Sequence, residues 1–104
     1  MEVFDRSFGN EVLAFPGPVF TLFWAPWCGH CARLMPIIDE LASEFSGKIK
    51  FAKMDLDKNP LIASQYQVKS VPAMLLFKNG RMVNQLLGAL PKYQIEHHLR
   101  GLIQ

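Results

Sequence analysis

The sequence predicts an α/β protein with a central mixed β-sheet flanked by helices on both faces. Three observations carry this. Residues 19–24, Val-Phe-Thr-Leu-Phe-Trp, are apolar apart from Thr21 and follow Pro16-Gly17-Pro18, as in a strand buried on both faces. Residues 31–45 place Leu34, Ile37, Ile38, Leu41, Ala42 and Phe45 at steps of three and four, which makes one apolar stripe of a helix. Asn79-Gly80 separates two apolar runs and signals a two-residue hairpin.

The elements follow in order. A helix-containing N-terminal arm precedes the first strand. Pro36 lies inside the first long helix and predicts a kink, since its ring removes one hydrogen bond and crowds the preceding turn. Gly47 is a plausible stop for that helix. Residues 49–56 alternate, with Ile49, Phe51, Met54 and Leu56 set against Lys50, Lys53 and Asp55, and predict a second strand. Asn59-Pro60 marks a turn, and residues 61–66 a short helix. Residues 73–77 are a third apolar strand, and residues 82–87 return antiparallel after the hairpin. Gly88 predicts a bulge or a close approach. Pro91 suits the first turn of a last helix, whose inner face is expected to be Ile95, Leu99, Leu102 and Ile103. The β-α-β unit demands a right-handed crossover and parallel strands.

The bulk numbers bound the function. At 104 residues the chain fits one domain, 1–104, with one core. Half of the residues are apolar, so disorder is not expected. The net charge of +2 is too small to argue for nucleic acid or an anionic membrane, and the basic residues form no block. The N-terminus lacks the basic and apolar regions of a secretory signal. No apolar run reaches the roughly 18 residues of a membrane span. A soluble, cytoplasmic monomer is the expectation.

Only two cysteines occur, Cys28 and Cys31, within Phe23-Trp24-Ala25-Pro26-Trp27-Cys28-Gly29-His30-Cys31. They are too few for a disulfide scaffold. They lie where the first buried strand hands over to its helix, and open α/β sheets place their chemistry at the carboxyl ends of strands. Two residues apart at a helix start, the sulfurs can close and reopen a small disulfide ring. Orphan N–H groups and the positive end of the helix dipole favour a thiolate at Cys28, which assigns it the attack. Cys31, one turn further in, is expected to be more buried and to resolve the mixed disulfide. His30 stands inside the ring and, as imidazolium, would stabilise the thiolate and raise the reduction potential. A metal would need about four ligands. His30 and the diverging His97 and His98 do not supply them, so no metal is expected.

These residues closely resemble the thioredoxin family from about Phe8 to Ile103. The matching pieces are the FWAPWCGHC run, Pro36, Lys53, Asn59-Pro60, Val71-Pro72-Ala73, Lys78-Asn79-Gly80 and Gly88-Ala89. The resemblance implies a thioredoxin fold and a thiol–disulfide oxidoreductase that reduces protein disulfides through Cys28 and Cys31. No bound cofactor is implied beyond the redox-active Cys28–Cys31 disulfide, and recharging would fall to a thioredoxin-reductase-like flavoprotein using NADPH. Pro72 is similar to the family's cis-proline facing the cysteines, with the Val71 backbone aimed at an incoming peptide. Trp27, Gly29 and Gly88 also match the family's site, and Trp24 matches a tryptophan expected to be mostly core packing.

Three departures stand out. His30 replaces the usual proline, giving the Cys-Gly-His-Cys tetrad of protein disulfide isomerase domains. The two families differ by about 90 mV, from about −270 to about −180 mV, or about 4 kcal/mol. A weaker reductant than ordinary thioredoxins is therefore expected. Leu22 stands where the family has a buried acid that takes the resolving cysteine's proton, so Lys53 loses its partner and is expected to reach outward. Slower proton removal from Cys31 follows, with His30 or water assisting. Ala73 replaces a frequent threonine. An isomerase-like oxidant is the alternative function, and a non-redox peptide-binding module a further one.

Overall fold

The computed structural model describes all of residues 1–104. Strand β1, Pro18–Trp24, is central because its alternate side chains must be buried on both sides. It pairs in parallel with β2, Lys50–Asp55, and antiparallel with β3, Ala73–Lys78. β3 pairs antiparallel with β4, Arg81–Leu87, so the sheet order is β2-β1-β3-β4. The sheet is mixed, as the β-α-β unit and the hairpin predict.

Strand alternation divides the core into two layers. Phe20, Leu22, Met74, Leu76 and Leu86 face α1, Gly29–Glu44, and α3, Lys92–Leu102. Val19, Phe23, Ala52, Met54, Leu75 and Phe77 face the N-terminal arm and α2, Pro60–Gln65. The arm consists of two short helical turns, Asp5–Ser7 and Gly9–Leu13. α2 has no cap from its own N-cap residue, Asn59. The Asp5 carboxylate serves instead, accepting from the Leu61 and Ile62 N–H groups at 3.0 Å each.

The hairpin turn is as expected: Asn79 and Gly80 both have positive φ, at 53° and 81°. Gly80 has a second constraint, because a Cβ there would lie 2.7 Å from the Leu13 carbonyl oxygen of the arm.

Several details differ from expectation. The register shift lies between Leu76 and Phe77, with Val83 the extra residue on β4, and not at Gly88. Gly88 makes no close approach either: its φ of +86° is what glycine supplies, and its N–H donates to the Pro72 carbonyl at 2.9 Å. Pro36 lies inside α1, as expected, but the helix ends at Glu44, before Gly47. Pro91 is the N-cap of α3 and not its first turn. Ile103 lies past the end of α3 and is 37% exposed, so the inner face of α3 is Ile95, Leu99 and Leu102. No helix is long and apolar enough to cross a membrane.

Candidate functional site

β1 ends at Trp24, and the chain turns through Ala25-Pro26-Trp27 before α1 begins. This turn delivers Cys28 to the N-cap of α1, in extended conformation. Cys28 and Cys31 are joined by a disulfide, with Cα atoms 5.3 Å apart. The Cys31 N–H, one of the helix's orphan donors, points at Cys28 Sγ at 3.1 Å. A serine or aspartate at an N-cap takes the same bond through oxygen. Here the acceptor is the reactive sulfur itself.

Both cysteine residues are buried, Cys31 the more completely. Cys31 is 1% exposed and Cys28 is 8% exposed. Both pack with Ala25, and Trp24 and Val71 close the pocket. The Val71–Pro72 peptide bond is cis, and Pro72 is buried. The Val71 carbonyl oxygen lies 3.7 Å from Cys28 Sγ, within reach of a thiol S–H. The Val71 N–H donates to no group of the chain. Beside the sulfurs, the Val71 N–H is thus left without a partner in the chain.

Trp27 is 66% exposed. Its indole N–H donates to Asp57 Oδ2 at 2.9 Å, which holds the ring beside Cys28. Trp24 is half-buried against the core and the cysteines, and its Nε1 has no partner. Gly29 and His30 are exposed at the first turn of α1, and Gly88 follows the end of β4.

Two charged residues sit differently from expectation. Arg33 Nη2 contacts His30 Nδ1. A guanidinium can only donate, and the contact places the Arg33 positive charge directly beside the His30 ring. Lys53 is the β2 neighbour of the fully buried Leu22. Its side chain does reach outward, but it finds a partner: Nζ lies 3.7 Å from Asp39 Oδ1 on α1.

Asp57 and Arg33 were not among the residues singled out from the sequence. Asp57 has a readable signal, because parallel strands send Trp27 and Asp57 off the same carboxyl end of the sheet. Arg33 had a weaker one, its spacing of three from His30 on a helix. No group of three or more His, Cys, Asp or Glu side chains is gathered as a metal ion would require.

A disulfide across the first turn of a helix, at the carboxyl end of the central strand of a mixed sheet, defines a dithiol–disulfide exchange protein. The comparisons with known proteins agree. The Thioredoxin family profile matches residues 1–101. The chain is 44% identical over 98 residues to Thioredoxin 1 of Nostoc sp., covering 94% of this chain and 92% of that one. It is 46% identical over 94 residues to a thioredoxin of Chlorobaculum thiosulfatiphilum, covering 90% and 87%. It is 48% identical over 91 residues to the chloroplastic M-type thioredoxin of spinach, covering 88% of this chain and 50% of that one. The chain belongs to the thioredoxin family and is a thiol–disulfide oxidoreductase. The relatives favour this reading over an isomerase, despite the Cys-Gly-His-Cys tetrad.

Proposed function

We propose that the chain works as a single domain and a monomer that reduces disulfides in other proteins, with Cys28 as nucleophile and Cys31 as resolving thiol. The observation that carries this reading is the Cys31 N–H aimed at Cys28 Sγ at the helix N-cap. A thiolate at Cys28 gains that hydrogen bond and the favourable end of the helix dipole. Cys31, one turn deeper and almost fully covered, gains neither.

In the exchange, the Cys28 thiolate attacks one sulfur of the partner's disulfide. That S–S bond breaks, the second partner sulfur leaves as a thiolate and takes up a proton, and a mixed disulfide forms. Cys31 then loses its proton and attacks Cys28 Sγ. The partner leaves as a dithiol, reduced by two electrons, and Cys28–Cys31 is oxidised. Leu22 offers no group to receive the Cys31 proton, and Lys53 is turned toward Asp39, so water takes that part.

The Val71 backbone, beside Pro72, holds the partner as an extended strand. Trp27 and Gly88 line the rest of that contact. No bound cofactor is needed. A flavoprotein reductase using NADPH restores the dithiol, and the reducing cytoplasm is the proposed setting.

His30 in place of proline, with Arg33 bonded to it, puts a guanidinium on the residue between the sulfurs. Positive charge there favours the reduced, thiolate-bearing form and raises the potential. A redox titration against glutathione should therefore give a midpoint above about −270 mV, the value typical of thioredoxin. A midpoint at or below that value contradicts the weaker-reductant reading.

A further inference from the structure

Positive charge on the residue between the cysteines has two sources, the His30 ring itself and the Arg33 guanidinium. Both residues are exposed near the start of α1. Residues three apart are neighbours on a helix, and long side chains lean back toward the helix N-terminus. Arg33 accordingly reaches His30: its Nη2 meets His30 Nδ1, and its side chain makes no other hydrogen bond within the chain. No carboxylate pairs with it. The acids of α1 are Asp39, Glu40 and Glu44, and each holds a lysine. Asp57, off the carboxyl end of β2, accepts from Trp27.

A ring nitrogen that already carries a proton has no lone pair to offer. The ring therefore cannot accept from Arg33 at Nδ1 and be an imidazolium at the same time. The contact exchanges a charge on the ring for one on a guanidinium, which keeps its proton in a protein. The place is an unfavourable one for a cation. The first turn of α1 holds no acid, and the N-terminal end of a helix dipole is itself positive. With the disulfide closed, Cys28 at the N-cap carries no charge to offset this. With the pair reduced, a Cys28 thiolate at the N-cap does.

We propose that Arg33 is a positioning residue for the exchange: held on His30, its guanidinium is the fixed charge that favours the reduced pair and sets its potential. The inference rests on the proposed disulfide-reducing function and deepens it by assigning to Arg33 a charge that the tetrad alone would assign to a histidine. The equilibrium concerned is reduction by two glutathione thiols. The Cys28–Cys31 bond breaks and receives two electrons, and the two glutathione sulfurs join as a disulfide. Cys28 is left as the thiolate, Cys31 keeps one proton, and the other goes to water.

A double-mutant cycle on the complete chain, read as the midpoint against glutathione and its disulfide, provides the test. Arg33→Met should shift the equilibrium about fivefold toward the disulfide, the upper range for an exposed charge pair. That is a midpoint lower by about 20 mV, at about 30 mV per tenfold. In a His30→Pro background, where no ring holds the guanidinium, the same substitution should shift it less than about twofold. The urea midpoint of Arg33→Met should match the parent, because an exposed side chain is removed. An unchanged redox midpoint in Arg33→Met overturns the proposal, whether or not stability falls. An equal shift in the two backgrounds also overturns it, because Arg33 would then act without His30. A parent chain that reduces no disulfide of insulin instead overturns the function on which the inference rests.

Discussion

A Cys31→Ser chain is expected to perform the first half of the exchange and stop. Cys28 keeps its N-cap position, since residue 31 still donates its backbone N–H to the sulfur. Attack on a partner disulfide therefore proceeds. The mixed disulfide then persists, because a serine hydroxyl cannot displace a thiol. Turnover should fall by orders of magnitude, as expected when one member of a two-step nucleophilic pair is removed. The adduct should be isolable without reductant, and mass spectrometry should find partner cysteines attached to Cys28. Continued turnover near the parent rate would show that Cys31 does not resolve the intermediate.

The second large effect concerns stability. Phe77 is fully buried on β3, with its ring 5.6 Å from Phe8 and 5.4 Å from Tyr66, both edge-on. These three rings fasten the N-terminal arm and the region after α2 to one face of the sheet. Phe77→Ala empties a site that the neighbouring strands cannot collapse to fill. The expected loss is about 3–5 kcal/mol, read as a lowered urea midpoint. Against a total of about 5–15 kcal/mol this leaves a marginal fold. Phe77 sits four residues along β3 from Ala73, the residue next to Pro72, a distance of about 13 Å. The folded fraction should therefore keep its thiol reactivity. A loss under about 1 kcal/mol would show that the aromatic cluster does not hold the arm.

Much of this arrangement is legible in the sequence, and the reasons are local. The apolar run of β1, the stripe of α1 and the Asn79-Gly80 turn each depend on residues near in the chain. The placement of Cys28 at a helix start follows from the same spacing. Ile103 continues the apolar period of α3, but the period cannot show that the helix ends one residue earlier. The shift opposite Phe77 leaves no mark in an alternating pattern, because a bulge changes pairing and not composition. Contacts made by long side chains across elements are the least legible. Lys53 finds Asp39, Trp27 finds Asp57, and Asp5 caps a helix some 56 residues away in sequence. Each needs the register between elements, which no single element encodes.

The departures from the family pattern show the same limit. Leu22 and His30 are visible as substitutions, and their chemistry is readable one residue at a time. Their surroundings are not. Arg33 reaches back to His30, and Asp39 gives Lys53 a new partner. Both adjustments move positive charge along the surface of α1, and both are set by packing.

Everything proposed for the exchange depends on Cys28 and Cys31 being unlike one another once reduced. Brief alkylation of the fully reduced chain with iodoacetamide near neutral pH, followed by peptide mapping, measures that difference most directly. Label should appear on Cys28 at least about tenfold faster than on Cys31, at a pH well below the value of about 8.5 at which a free cysteine ionises. Equal labelling of the two sulfurs, at the rate of an unstructured cysteine, would contradict the account.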